Sequence, residues 1–175
     1  TKSLTATYFG ILQHQNKINI NNPAPIQEWA NDERAKITLN NLIQMNSGLE
    51  WEEKYDRICD ATKMLFNSRD MGQVQLEKPL FGKPNQTWNY SSGTSNLLSK
   101  ILRKQFKTQQ EYLDFWYSSL IDKIGMYSMI VETDMTGNYV GSSYAWATSR
   151  DWAKFGLLYL HNGNWNGEQL FDRSW

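Results

Sequence analysis

A mainly helical fold with few strands is what this sequence predicts, and three observations carry that expectation. Apolar residues recur at three- and four-residue spacing in several separate segments. Residues that start helices stand directly in front of those segments. Runs that alternate apolar and polar residues over the length of a strand are scarce.

The first helix is expected from about Lys2 to Gln13, with Leu4, Tyr8, Ile11 and Leu12 on one face. A polar stretch, 16–25, ends it and holds two of the four prolines. Thr38 then caps a short helix, Leu39 to Met45, halted by Ser47-Gly48. A further helix is expected from Lys54 to Phe66, followed by a turn-rich stretch, 67–89, of little periodicity. From Ser92 to Phe106 the stripe is Leu97, Leu98, Ile101 and Leu102. Thr108-Gln109-Gln110-Glu111 is a capping box, in which hydroxyl and carboxylate satisfy reciprocal backbone donors. The helix it opens carries Tyr112, Phe115, Trp116 and Leu120. Residues 129–140 are polar and glycine-broken and suit a short hairpin around Thr136-Gly137-Asn138. Thr148 or Ser149 caps the last helix, where Trp152, Phe155 and Tyr159 share a face, and 163–167 reads as a turn. A sheet that these helices could cover is missing from the pattern.

At 175 residues the chain is long enough for one domain with its own core. Lys plus Arg and Asp plus Glu are 18 each, which lacks the basic excess of a general nucleic-acid binder. No apolar run is long enough to cross a membrane. Cys59 is the only cysteine, so no internal disulfide forms, and its neighbours suggest a buried thiol. The eight Trp keep open a stacking surface for sugars or peptides, although a stand-alone carbohydrate module would be mostly β.

Chemistry narrows by elimination. A metal site needs converging ligands, and His14 and His161 have no ligand-spaced partners, so neither metal nor cofactor is expected. Both histidines read as solvated residues at helix C-termini, which excludes a His-based triad. Glu52-Glu53 and Glu132 with Asp134 read as exposed faces or turns. Base chemistry by Lys and Tyr remains, from Lys2 on the first turn of an amphipathic helix and Tyr90-Ser91-Ser92 just before another. Each taken alone is also what a solvated lysine and a loop tyrosine look like.

Several segments in order carry a family resemblance. Thr1-Lys2-Ser3-Leu4 looks like the tail of a Ser-x-x-Lys helix. Residues 37–43 followed by Ser47-Gly48-Leu49 resemble the helix and Ser-Gly-Leu turn that come next in such enzymes. Trp88-Asn89-Tyr90-Ser91-Ser92-Gly93 is similar to their Tyr-x-Asn element. Residues 141–156 resemble their long substrate-side loop and the helix after it. The chain thus resembles the serine β-lactamase and penicillin-binding-protein-like hydrolases. Its look is closest to the branch of 6-aminohexanoate-dimer hydrolases and related esterases.

The resemblance implies a mainly α fragment of an α+β fold, with the central sheet largely outside the chain. Residues 1–175 would be one domain, the central portion of a β-lactamase-like serine hydrolase. The nucleophilic Ser would stand two positions before Thr1, and the family's Lys-Thr-Gly-type motif beyond Trp175, so these residues alone are expected to be inactive. Lys2 and Tyr90 would be catalytic, sharing the nucleophile's proton and protonating the leaving group. A lysine with its ordinary pKa near 10.4 is a poor base at neutral pH, so the role relies on burial and the positive helix end. Ser92 and Tyr55 would bind substrate: Ser92 stands where the family has Asn, which suits esters better than lactams, and Tyr55 aligns with a loop tyrosine that closes over amides. The implied partner is a small ester, amide or peptide substrate, with no nucleic acid and no transmembrane segment, and export to the periplasm or cell surface is favoured. The alternative is a non-catalytic member of the fold that binds cell-wall peptide or glycan.

Overall fold

The computed structural model describes residues 1–175. Helices dominate, and they are arranged around α5 (Ser92–Arg103), which packs against five others: α1 (Lys2–His14), α2 (Leu39–Ile43), α3 (Asp60–Asn67), α4 (Met71–Leu76) and the helix that follows α5. α6 (Gln109–Trp116) runs directly into a π-helical turn, Tyr117–Ile121, and α7 (Ser149–Leu160) closes the helical set. Strands are confined to two antiparallel pairs: β1 (Ile130–Val131) with β2 (Ala145–Trp146), and β3 (Asn164–Trp165) with β4 (Glu168–Gln169). This is the α-rich, strand-poor architecture that the periodicity predicts, and it leaves no room for a mostly β carbohydrate module.

The main core is a cluster of 30 buried apolar residues, and a second cluster of 6 gathers around Trp51, Met64 and Met71. α1 inserts Leu4, Tyr8, Phe9, Ile11 and Leu12 into the main core, which is why so short a helix is so well held. Tyr8 lies with its ring centroid 4.3 Å from that of Trp116 and donates its hydroxyl to the Trp116 carbonyl at 2.8 Å. Tyr112 and Tyr139 extend the same aromatic stack. Trp29 and Trp116 are fully buried, so these two tryptophans fill core, not a stacking surface. Truncating such a ring to Ala removes about 3–5 kcal/mol of stability.

Caps set several boundaries as expected. Thr38 and Asn41 form a capping box on α2, Thr108 and Glu111 another on α6, and the Thr148 side chain accepts from Asp151 N on α7. Elsewhere the structure departs from the sequence reading. The helix expected from Lys54 begins only at Asp60, because Cys59 N donates to Thr62 Oγ1 at 2.9 Å and Glu52 N to Asp60 Oδ2 at 3.0 Å. Those bonds hold the preceding residues as an irregular segment. α4 lies inside the stretch read as turns. It is started by Asp70, whose Oδ1 accepts from Gln73 N at 3.0 Å, and it is one of the elements packed on α5. The 163–167 turn is the tip of the β3–β4 pair, each strand too short to show alternation. The 129–140 hairpin is reduced to a bridge between Thr133 and Tyr139, while β1 pairs instead with residues beyond it.

Three polar residues are also corrected. His14 is not simply solvated; its Nδ1 donates to Asp172 Oδ1 at 2.6 Å. Asp134 is buried, accepting from Met71 N, Thr136 N and Asn138 N, and so joins the start of α4 to the 134–138 turn. Glu53 is half-buried and takes part in the arrangement described next. Cys59 is buried, as its apolar neighbours suggested.

Candidate active site

The N-terminal ends of α1 and α5 meet, and the four residues singled out from sequence gather there. Two devices bring the helix starts together. Thr5 Oγ1 on α1 donates to the Gly141 carbonyl at 2.8 Å, and Ser142 N donates to Asn96 Oδ1 on α5 at 3.2 Å, so the 141–142 segment is clamped between both helices. On the other side, the Trp51 ring fills the place of a side chain at position 93; a Cβ there would lie 2.5 Å from the indole, so only Gly93 permits the contact.

Lys2 projects from the first turn of α1. Its Nζ donates to Ser92 Oγ at 3.0 Å, across 90 positions of sequence, and to the Ser142 carbonyl at 3.4 Å. The same ammonium lies 4.6 Å from the centroid of the Tyr90 ring, within cation–π range. Lys2 and Tyr90 are therefore neighbours, although the ammonium meets the ring and its hydrogen bonds go to Ser92 and Ser142. Tyr90 is 51 % exposed, whereas Ser92 is buried at 1 %. The hydroxyl partner is thus fixed inside the protein, and the phenol borders the open side with Trp88, whose ring centroid is 6.3 Å from its own.

Ser92 is the first residue of α5, after the N-cap Ser91, whose side chain accepts from Thr94 N at 2.9 Å. The free Ser92 N–H donates to Glu53 Oε2 at 2.8 Å and the Ser92 hydroxyl to Glu53 Oε1 at 2.7 Å. Tyr55 Oη also donates to Oε1, at 2.9 Å, and Trp51 Nε1 to Oε2, at 2.8 Å. Burial alone would push the Glu53 carboxyl up, but these four donors outweigh it and hold it below the usual carboxylate range. Tyr55 moves the other way, raised by burial and by its bond to that carboxylate. Its ring remains 63 % exposed, so Tyr55 joins the group by its hydroxyl alone.

Glu53 is the residue that sequence reasoning missed. Its only signal is the alternation Trp51-x-Glu53-x-Tyr55, which in an extended segment puts all three side chains on one side. No three His, Cys, Asp or Glu side chains converge as metal ligands. His161 caps the far end of α7 and His14 faces Asp172, so neither enters this group. No helix is long and apolar enough to cross a membrane.

The family model described as Beta-lactamase matches residues 1–172. Among solved structures, similarity extends over 99 % of this chain. A Bacillus anthracis protein described as a 6-aminohexanoate-dimer hydrolase has 24 % identity and a TM-score of 0.81, with 49 % of its own chain covered. The D-amino acid amidase of Ochrobactrum anthropi SV3, complexed with L-phenylalanine amide, has 18 % identity, a TM-score of 0.71 and 55 % of its chain covered. The octameric penicillin-binding protein homologue of Pyrococcus abyssi has 14 % identity, a TM-score of 0.69 and 45 % covered. This chain therefore spans about half the length of these structures, and at such identities the likeness is one of fold. No curated protein matches the sequence.

Proposed function

Because the chain belongs to the Beta-lactamase family, whose members are serine hydrolases acting on amides or esters, we propose that it supplies the Lys–Tyr part of an acyl-transfer site. The observation that carries this reading is Lys2 Nζ, bonded to Ser92 Oγ at 3.0 Å and lying 4.6 Å from the Tyr90 ring centroid. The Ser-x-x-Lys spacing assigns the nucleophile to the residue three positions before Lys2, on the same helical face. There the free N–H groups and the dipole of the helix start favour developing negative charge.

In the proposed reaction the nucleophile's proton passes to Lys2, with Tyr90 beside it, as the serine oxygen bonds to the substrate carbonyl carbon. The carbon–oxygen or carbon–nitrogen bond of the substrate then breaks, and Tyr90 protonates the departing alcohol or amine. Water releases the acyl group by the same path in reverse. Ser92 holds Lys2 from inside the protein and acts on the substrate only through it, and Tyr55 lines the open side. Residues 1–175 form the central portion of the enzyme, and the substrate is a small ester, amide or peptide.

The test is an acyl-enzyme titration on the longer protein that carries a serine three positions before Lys2. A p-nitrophenyl ester should give a stoichiometric burst, and a fluorophosphonate should label that serine, while residues 1–175 alone give neither. Steady turnover with no label on that serine would refute the proposal.

A further inference from the structure

We propose that Glu53 is a positioning residue of this site: its carboxylate orients the Ser92 hydroxyl as an acceptor for Lys2 and sets the charge environment of that lysine. The inference rests on the acyl-transfer reading above and adds a group outside the Lys–Tyr pair. Each Glu53 oxygen accepts two donors, Oε1 from the Ser92 and Tyr55 hydroxyls and Oε2 from Ser92 N and the Trp51 indole.

The hydroxyl's proton count makes this arrangement directional. A serine hydroxyl has one proton and rotates freely, so by itself it could point that proton at Lys2 or away from it. At Ser92 the proton goes to Glu53 at 2.7 Å, and only lone pairs remain for the ammonium at 3.0 Å. With Ser92 only 1 % exposed, water is poorly placed to substitute. Where the family's Asn would present a donor and an acceptor on fixed atoms, this chain obtains the same definition from a second residue, 39 positions upstream of Ser92. The carboxylate is itself braced, since the Trp51 ring that donates to it is seated over Gly93.

A single hydroxyl also stands between the Glu53 carboxylate and the Lys2 ammonium, so the two charges are joined through Ser92 Oγ. The groups facing Lys2 are Tyr90 from the loop before α5, Glu53 through Ser92 from the 51–59 segment, and the Ser142 carbonyl from the clamp.

The experiment is the pH dependence of kcat/KM for a p-nitrophenyl ester in the longer protein, with melting temperature recorded for every variant. In Glu53→Gln an amide NH2 replaces one oxygen, so two of the four donors meet another donor. We expect kcat/KM to fall roughly 10- to 100-fold. We also expect the acidic limb to move to lower pH, because a negative charge one hydroxyl away from the ammonium is removed. Glu53→Asp should restore the limb toward its parental position, and Glu52→Gln, at the neighbour whose carboxylate pairs with Arg57, should leave it unmoved. A folded Glu53→Gln variant with a parental limb and activity within about twofold overturns the inference, as does an equal shift in Glu52→Gln. Should Glu53→Gln not fold, Ser92→Ala decides, because it cuts the link while leaving the Ser92 N–H on Glu53. It must shift the limb the same way, and a parental limb overturns the inference. Lys2→Ala separates the two levels: parental turnover there refutes the acyl-transfer reading itself, whereas its loss beside an indifferent Glu53→Gln refutes only the role of Glu53.

Discussion

Replacing Lys2 in the longer protein separates chemistry from stability, and three substitutions suffice. Lys2→Met keeps the apolar stem and removes the charge. The structural loss is small: one ammonium–ring contact, worth about 0.5–1 kcal/mol, the hydrogen bond to Ser92 and the longer one to the Ser142 carbonyl. The Ser92 hydroxyl is not left stranded, because its proton already belongs to Glu53. Together the stability loss should be about 1–2 kcal/mol, or a few degrees in Tm for a chain of this size. The catalytic loss should be far larger, at least about 100-fold in kcat, equivalent to about 2.7 kcal/mol of barrier. Lys2→Ala should match it. Lys2→Arg is the decisive member, since a guanidinium keeps the charge and can donate to Ser92 but never releases its proton at working pH. If Lys2 acts as a base, Lys2→Arg is as inactive as Lys2→Ala. The assay is p-nitrophenyl ester hydrolysis with melting curves for each variant. A folded Lys2→Arg enzyme within about tenfold of the parent would show that the position supplies only charge, and the base would have to be sought elsewhere.

Two further predictions follow from the same geometry. Tyr90→Phe keeps the ring that Lys2 faces, so folding should be unaffected while kcat falls by at least about 100-fold; His14→Ala and His161→Ala should leave kcat nearly unchanged, and loss of activity in either histidine variant alone would point to a His-based mechanism. Asp151 has its carboxyl lowered to about 2 by hydrogen bonds from Lys154 and from the hydroxyl and N–H of Ser128. Its contribution to stability is therefore complete above the unfolded value near about 3.9 and is lost as pH falls through about 2. Melting curves should show Asp151→Asn below the parent at pH 7, with the gap closing between about pH 4 and 2; a gap independent of pH would contradict the assignment.

The sequence by itself determined the helices whose cause is local. α1, α5 and α7 each bury a stripe set by residues three and four apart, and the caps at Thr38, Thr108 and Thr148 act within three positions of themselves. The gathering of Lys2, Tyr90, Ser92 and Tyr55 was legible only through a family resemblance, since nothing in its own segment marks any of them out. Tertiary structure decided the rest. The Lys54 start gave way to Asp60 because Glu52 N and the residues around Cys59 found partners at 60 and 62. α4 has too few turns to show a period and is held on α5 by packing. Above all, Glu53, Asp134 and His14 read as exposed polar residues because a carboxylate or imidazole has no periodicity to mark it. Its role is set by which donors come within 3 Å, and for Glu53 two of those four arrive from Ser92 on α5, which only the packed chain brings near.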